Sequence, residues 1–332
     1  MFLIENGIPS KIEETTFSEL NMKESDLEEM VRKNVDMLCD EEVSMIIVGQ
    51  QVRNEQKGRS DLTALDSEGN IVLIEIKRDK KDIEQRNRKE AFEFQAIRYA
   101  ANCASIKDVD ELIQDVFAPY VEKHKEEFKS KYDISSLTSI EIAQREINKF
   151  LSDNDNPLFN KRQKIMLVAS DFDEQTLSSV AWLNSNKVDI SCYQVLPLKM
   201  ADKILIDIKK ILPLEDYDDY YVKIASASPN AYTKCQSSDI TKRALPKIDK
   251  LMEWELIKEG DIIQAKNKDD TATLVKDGKV RVEKTNEVLS LIAWLKSLYG
   301  WSSINPYKFS IDKKTGKTLY ELRSKHMESQ QE

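Results

Sequence analysis

Two carboxylates and a lysine near the N-terminus have the residue types and spacing that hydrolytic chemistry needs. Asp61 follows Gly58-Arg59-Ser60, and Glu75 and Lys77 come shortly afterwards. Carboxylate oxygens are the ligands that hard divalent cations such as Mg²⁺ prefer. A lysine ammonium is a compact charge that stabilises negative charge developing on a substrate. These residues indicate metal-assisted hydrolysis if the fold brings them together.

The segment between these residues predicts the element that would position them. Two apolar runs, 62–65 and 71–76, flank the polar residues 66–70, and Gly69 and Asn70 tolerate positive φ, so a β-hairpin is expected. If the loop is centred on Glu68, paired residue numbers sum to 136 and Asp61 lies opposite Glu75. One bulge would shift this register. Facing carboxylates repel each other unless a cation lies between them.

Two structural alternatives compete with a catalytic role for these residues. In the first alternative the charged residues lie on a solvent-exposed face of the hairpin and bind no ligand. The apolar run 71–74 favours a buried strand instead. A buried strand that ends in Glu75 and Lys77 must provide partners for both charges. An ion pair of Lys77 with Glu75 or with Asp61 would also do this.

The order of these residues resembles the PD-(D/E)xK nuclease superfamily. The motif runs from Gly-Arg-x-Asp through a hairpin to Glu-x-Lys, and then to a helix with Gln95 and Tyr99 at positions i and i+4. Within that superfamily the chain most resembles the restriction-like and NucS-like branch. The resemblance implies an α/β fold over residues 1–215: a restriction-endonuclease-like core with a mixed central sheet flanked by helices, and a helical insertion at about 107–152.

The same resemblance implies a metal-dependent deoxyribonuclease that acts on DNA. Asp61, Glu75 and the carbonyl of Ile76 would hold Mg²⁺ or Mn²⁺, and Lys77 would orient or deprotonate water. The implied catalytic set is Asp61, Glu75, Lys77, Gln95, Tyr99 and Glu28.

Two helices contribute to that set. Gln95 and Tyr99 would position the phosphate or the water. Glu28, with Glu29 as the second choice, would assist the metal from the first helix.

Hydrophobic periodicity places these residues on a series of elements. The expected helices are 26–38, with Ser25 or Asp26 as the N-cap, about 83–102, two amphipathic helices within 107–152, and 174–186. The expected strands are 43–52, 62–65, 71–77, 165–170 and a last core strand, 188–196. Residues 216–248 are polar and weakly periodic, so we expect a linker there.

Residues 249–325 predict a second, small α+β domain. Alternating strands flank an Asp277-Gly278 turn, and a helix is expected from about 287 to 299. This pattern resembles the RAMA-like domain that occurs fused to restriction and defence proteins, which implies a DNA-reading role. Trp294 is expected in the core, whereas the sequence leaves open whether Trp301 and Tyr307 belong to the core or stack on a base.

Charge is distributed unevenly along the 332 residues, which carry a net −9. Residues 241–332 hold 18 Lys and Arg against 14 Asp and Glu, a balance of +4, so residues 1–240 carry −13. DNA affinity would therefore need local patches rather than a global positive field. The candidates are Arg59, Arg78 and the basic residues after the Glu-x-Lys strand, namely Lys80, Lys81, Arg86, Arg88 and Lys89.

That negative charge keeps two alternatives open. The basic residues after the strand form either a DNA contact or a solvated loop. The whole protein is either a nuclease or a DNA-binding or regulatory protein that retains the nuclease fold without its activity.

Composition excludes other chemistries. Cys39, Cys103, Cys192 and Cys235 have no short spacing and the chain has two histidines, so zinc sites and Ser/His or Cys/His catalysis are not expected. No apolar run is long enough for a membrane span and no signal peptide is evident. We expect a cytoplasmic protein without a membrane partner, and the two family resemblances imply a role in restriction or defence. Cutting both strands would require a homodimer or two successive nicks.

Overall fold

The computed structural model describes residues 2–5, 8–53, 58–78, 91–156, 158–200, 203–213 and 245–329. Most of the expected linker, the residues 83–90 of the expected second helix and the basic cluster 80–89 lie outside the described residues. The chain divides into two units. The first comprises residues 1–38 and 45–213, and the second comprises residues 39–44 and 214–332.

The first unit alternates strands with helices along the chain. Its described strands are β1 (Phe2–Glu5), β2 (Ile8–Lys11), β3 (Glu13–Glu14), β4 (Met45–Gln50), β5 (Leu62–Asp66), β6 (Ile71–Lys77), β7 (Gln163–Ala169), β8 (Ile190–Met200) and β9 (Lys203–Leu212). Its described helices are α1 (Glu24–Lys33), α2 (Phe92–Cys103), α3 (Val109–Leu112), α4 (Ala118–Lys123), α5 (Ser139–Asp153) and α6 (Glu174–Ser185).

Seven of these strands form one mixed sheet within the described part of the chain. Their order is β3–β8–β7–β6–β5–β4, and β9 also pairs with β8. The three central strands β6, β7 and β8 are parallel, whereas β4, β5 and β6 form an antiparallel meander. A mixed sheet flanked by helices was expected from the sequence, and the structure confirms this coarse architecture.

Strand β6 lies at the centre of this sheet, and all of residues 71–76 are buried. It pairs with β5 on one side and β7 on the other, which explains a continuous apolar run in place of alternation. Helices α2 and α6 pack on the sheet through an apolar cluster that includes Leu73, Ala96, Leu167 and Val180. Helix α1 also packs against β6.

The expected helical insertion is helical in the structure. A π-helical stretch, Ile113–Phe117, joins α3 to α4, and a 3₁₀ turn, Lys125–Phe128, follows. Helix α5 begins with a capping box, in which Thr138 and Glu141 exchange side chain–backbone hydrogen bonds.

Several predicted boundaries in the first unit were wrong. Helix α1 begins at Glu24 rather than at 26, because the Asp26 carboxylate accepts a hydrogen bond from the Lys23 backbone N–H at 2.7 Å and so caps from inside the helix. The helix ends at Lys33 and a 3₁₀ turn, Val35–Leu38, follows. The strand 188–196 is not the last of the unit, because β9 follows and extends the sheet beside β8.

The second unit is built on a small antiparallel sheet. Its described strands are β10 (Ile262–Ala265), β11 (Thr271–Leu274), β12 (Lys279–Val282), β13 (Val288–Ser290), β14 (Ser310–Asp312) and β15 (Lys317–Thr318), in the order β13–β12–β11–β10–β14–β15. Its described helices are α7 (Ile248–Glu253), α8 (Leu291–Tyr299), α9 (Pro306–Phe309) and α10 (Leu319–Ser329).

The expected helix 287–299 was too long at its N-terminal end. Residues 288–290 pair with β12, so Leu289 lies opposite Val280, and the helix starts after its N-cap Ser290. Its buried face is Leu291, Trp294, Leu295 and Tyr299. Ala293 of this helix is exposed.

Trp301 and Tyr307 both belong to the core of this unit, as does Trp294. Trp301 packs against Tyr299 and Phe309, with ring centroids 4.9 and 5.0 Å apart. Tyr307 is 1% exposed. No ring face of either residue is open to a nucleobase, so the core alternative holds and the stacking alternative fails.

In the part of the chain that the structure describes, no helix combines the length and apolar character that crossing a bilayer requires.

Candidate active site

The β5–β6 hairpin brings Asp61 and Glu75 together in the expected register. Leu62 pairs with Ile74 and Leu65 with Ile71, so paired numbers sum to 136 as predicted. The Asp66 carboxylate accepts hydrogen bonds from the N–H groups of Glu68 and Asn70, both at 2.9 Å, and closes the loop. Local turn chemistry therefore fixes which residues face each other at the far end of the hairpin.

Each of the two acidic residues is hydrogen-bonded to the other's strand. Asp61 Oδ2 accepts a hydrogen bond from the Ile76 N–H at 2.7 Å, and the Asp61 N–H donates to Glu75 Oε1 at 3.3 Å. Glu75 is fully buried, and its Oε2 has no hydrogen-bond partner among the described residues. A buried carboxylate oxygen without a donor is costly.

Burial and mutual repulsion make this pair hold protons unusually strongly. Burial, followed by the charge of Asp61, raises the pKa of Glu75 from 4.5 to about 9, although Lys77 opposes the shift. Burial also raises the pKa of Asp61 from 3.8 to about 6, opposed by Lys77 and by the Ile76 N–H. Near neutral pH the pair carries less negative charge than two ordinary carboxylates.

Lys77 is almost buried, and its ion pair is with a residue that the sequence analysis missed. Its Nζ lies 3.4 Å from Glu24 Oε1 and 5.7 Å from the centre of the Phe92 ring. The expected alternatives, an ion pair with Glu75 or with Asp61, are not the pair that forms. Glu24 lies one helical turn before Glu28 on α1, and this i, i+4 spacing was the signal that could have identified it.

Glu28 is buried near the carboxylate pair but is held by two amides. Gln50 Nε2 donates to its Oε1 and Gln51 Nε2 to its Oε2, both at 2.8 Å. Its charge contributes to the raised pKa of Asp61. No hydrogen bond between described residues joins it to Asp61 or Glu75. Gln50 and Gln51 were not among the predicted site residues, although two successive amides where a buried strand ends are an available signal.

Tyr99 fixes the backbone that leads into Asp61. Its hydroxyl oxygen accepts a hydrogen bond from the Arg59 N–H at 3.0 Å, and the ring is buried. Gln95 is half-buried one turn earlier on α2. None of the hydrogen bonds in the described ranges connects Gln95 to the carboxylates. The direct roles of both residues toward a substrate stay predictions.

The two basic candidates lie on either side of the hairpin. Arg59 is exposed and its backbone forms a β-bridge with Arg53. Arg78 is half-buried at the end of β6, and its Nη1 donates to the Met22 carbonyl at 3.1 Å. Arg59 is thus the one of the two whose side chain is open to solvent.

The donor set at the hairpin suits a hard divalent cation. Asp61 and Glu75 supply carboxylate oxygens on adjacent strands, and Glu75 Oε2 has a lone pair that no donor in the described ranges satisfies. No group of three or more His, Cys, Asp or Glu side chains forms a metal-binding cluster in the described residues. The fit to Mg²⁺ or Mn²⁺ therefore depends on two carboxylates, with backbone carbonyl and water oxygens completing the shell.

Comparison with known protein sequences gives no match from which a function could be inferred. No protein-family model matches the chain, and no curated protein sequence is significantly similar to it. Functional assignment therefore depends on the site itself.

Proposed function

We propose that this chain is a metal-dependent nuclease that hydrolyses phosphodiester bonds in DNA. The observation that supports the proposal best is the pair formed by half-buried Asp61 and fully buried Glu75, hydrogen-bonded to each other's strand with one Glu75 oxygen unsatisfied among the described residues. A protein gains nothing structural from burying two facing carboxylates without a cation. The arrangement is understandable if an ion is part of the working site.

Asp61 and Glu75, with the carbonyl of Ile76, would hold Mg²⁺ or Mn²⁺. When bound, such an ion supplies a Lewis acid that neutralises phosphate charge and lowers the pKa of water. Hydrogen bonding from the Ile76 N–H holds Asp61 Oδ2 in place. Side-chain reorganisation is then small, which favours catalysis because the charges are oriented before substrate arrives.

Lys77 would orient or deprotonate the attacking water and stabilise charge on the phosphate. Its pairing with Glu24 keeps the ammonium at this end of β6, and its contact with the Phe92 ring restricts its movement. Tyr99 would act as a positioning residue, because it bonds the Arg59 N–H two residues before Asp61. Gln95, on the same helix, would contact the phosphate or the water.

The part of the second unit from residue 241 onward would select the target, since residues 241–332 carry a balance of +4 whereas residues 1–240 carry −13. A weak reader that is linked to a nuclease raises the local concentration of target DNA. The proposed role is restriction of foreign or modified DNA in the cytoplasm.

The net charge of −9 supports a second candidate, a DNA-binding or regulatory protein without catalysis. A binder would need local contacts only and no metal. Mn²⁺ binding that depends on Asp61 and Glu75 separates the two candidates.

Nicking of supercoiled plasmid in the presence of Mg²⁺ or Mn²⁺ tests the nuclease directly. We expect the wild type to nick, and Asp61→Asn and Lys77→Met to lose about 100-fold or more of the rate. Glu146→Gln and Lys131→Met are the matched controls, because these two residues form an ion pair at 2.7 Å within the helical insertion. Cleavage that is unchanged in both active-site variants would refute the assignment.

A further inference from the structure

Residues 39–44 pack within the second unit, although they precede β4 in the chain. The segment reads Cys-Asp-Glu-Glu-Val-Ser and forms neither a helix nor a strand. It is held mainly by four side chains of α9, α10 and the loop before them: Ser303, Asn305, Tyr307 and Arg323. We refer to these four as the clasp.

Glu42 makes the central contact with the clasp. Its Oε1 accepts a hydrogen bond from Arg323 Nη1 at 2.8 Å, and its Oε2 lies 3.2 Å from Asn305 Nδ2. Asn305 Nδ2 also donates to the Glu42 carbonyl at 2.8 Å. Arg323 is 1% exposed and lies 4.2 Å from the centre of the Tyr307 ring. Burying an ion pair costs desolvation, which offsets much of the Coulombic attraction between Glu42 and Arg323.

Neighbouring residues of the segment are recognised as well. The Tyr307 hydroxyl donates to Glu41 Oε2 at 2.8 Å, and Ser303 Oγ donates to the Val43 carbonyl at 2.8 Å. The Asn305 N–H donates to Ser44 Oγ at 3.0 Å. The clasp therefore binds two carboxylates, a hydroxyl and two backbone carbonyls of one short stretch, as a peptide-recognition site does.

The guanidinium of Arg323 is only partly used by this segment. Nη1 bonds Glu42 and the Pro246 carbonyl, whereas the buried Nη2 has no acceptor in the ranges that the structure describes. An arginine fork binds a carboxylate most strongly when both of its nitrogens donate. The internal segment thus satisfies only one of the two terminal nitrogens of the Arg323 guanidinium among the described residues.

We propose that the clasp is a binding site for acidic peptides of the type Glu-Glu-Val-Ser, and that residues 39–44 are its intramolecular ligand. The site is independent of the proposed nuclease activity. A separate peptide of the same sequence binds it once the internal segment no longer competes. Tethering gives the internal segment a high effective concentration, so in the wild type a separate peptide does not readily replace residues 39–44 in the clasp.

Fluorescence anisotropy with a labelled peptide of residues 40–46 tests this in the full-length chain. Glu41→Gln together with Glu42→Gln removes both internal carboxylates and leaves the clasp intact. We expect this double variant to bind the peptide at least about tenfold more tightly than the wild type does. Adding Arg323→Met should abolish the binding. Glu253→Gln with Glu255→Gln, two exposed and ion-paired residues of the same unit, is the matched control and should bind as the wild type does.

Tryptophan fluorescence checks that each variant is folded. A folded double variant that does not bind the peptide overturns the proposal, and so does binding that survives Arg323→Met. If the double variant is unfolded, Glu42→Gln alone replaces it in the same titration. If that variant is also unfolded, residues 39–44 are a core element rather than a bound ligand, and the proposal is wrong.

Discussion

Glu75 has surroundings that are hard to explain without a ligand. It lies on the central strand of the sheet, fully buried, with Asp61 beside it and one oxygen unsatisfied in the described structure. Lys77 is close enough to lower its pKa but pairs with Glu24 instead. Such a residue lowers the stability of the metal-free fold, which is common where a site is organised for function.

The raised pKa of Glu75 predicts a pH-dependent loss of stability in metal-free protein. Since the pKa is about 9 in the folded state and 4.5 ordinarily, the folded chain binds this proton more tightly than the unfolded chain. The stabilising contribution is complete below about pH 4.5 and is lost as the pH rises toward 9. Glu75→Gln keeps the shape and removes the titration. At pH 8.5 we expect the free energy of unfolding of this variant to be higher than that of the wild type by on the order of 1–3 kcal/mol.

Urea unfolding at pH 5.5 and pH 8.5, with a chelator present, measures this difference. Glu146→Gln, which neutralises another buried glutamate, controls for the substitution itself. If the wild type and Glu75→Gln lose stability in parallel between the two pH values, Glu75 does not hold the proton that its surroundings indicate.

Among the elements, the β5–β6 hairpin determines whether a site exists at all. Its loop requires Gly69, whose φ is +74° and whose added Cβ would lie 2.1 Å from the Leu158 carbonyl oxygen. A β-carbon there meets backbone that cannot move aside cheaply.

Gly69→Ala should therefore destabilise the first unit by about 2–4 kcal/mol. Gly316 is the matched control, because its φ is +70° and no atom lies within 4 Å of an added Cβ. Gly316→Ala should cost only about 1 kcal/mol, the price of the backbone conformation alone. Equal losses in denaturant unfolding would show that the close approach to Leu158 does not restrain the hairpin.

The hairpin could be predicted because its determinants are local. Gly69, Asn70 and the two apolar runs specify the turn and the register within a few residues, and the structure confirms the pairing. Strand β9 was not predicted, because its pairing with β8 depends on tertiary context and not on a pattern in its own residues. Residues 288–290 were assigned to a helix for the same reason, since only pairing with β12 makes them a strand.

The candidate site was predictable to a similar extent. The facing of Asp61 and Glu75 follows from the hairpin, so the sequence was sufficient for the pair. The partners of Glu28 and Lys77 come from other elements, β4 and α1, whose placement depends on packing. Sequence patterns indicated which residues carry charge but not which charges meet.

At the scale of the whole molecule, three of the lysines behind the +4 balance of residues 241–332 lie beside aromatic rings. Lys266 lies 5.8 Å from the Phe309 ring centre and Lys268 lies 5.0 Å from that of Tyr299. These two rings pack together, and Lys308 precedes Phe309. Lys266 and Lys268 thus lie beside one aromatic pair, whereas the Lys308 ammonium lies 5.6 Å from the ring centre of Tyr320. We expect these three lysines to contact DNA phosphates.

Replacing Lys266, Lys268 and Lys308 together by alanine should weaken duplex binding at least about tenfold at 50 mM salt. It should also lower the slope of log affinity against log salt by about 2–3, because each phosphate contact releases counterions. Lys250→Ala with Lys258→Ala is the control, since these lysines pair with Glu253 and Glu255. An unchanged salt slope, measured by anisotropy of labelled duplex, would place the DNA contact elsewhere.

Contacts between residues 41–44 and residues beyond 300 limit the use of truncated chains in separating the roles of the two units. Glu42 contacts Arg323 across 281 residues of sequence, a pairing that no local pattern could indicate. A chain ending at residue 245 would leave Glu41, Glu42 and Ser44 without these partners. Point variants therefore separate the roles of the units more cleanly than truncation.

We propose that Asp61 and Glu75 form a divalent cation site, and calorimetric titration with Mn²⁺ tests this without a nucleic-acid substrate. At pH 7.5 we expect one site in the wild type, with proton release visible as a dependence of the heat on buffer, because Glu75 must lose its proton on binding. Asp61→Asn and Glu75→Gln should weaken binding at least about 30-fold, whereas Glu146→Gln should bind as the wild type does. A wild type that binds no Mn²⁺ at millimolar concentration, or binding that Glu75→Gln leaves unchanged, would contradict the assignment of a cation site to Asp61 and Glu75.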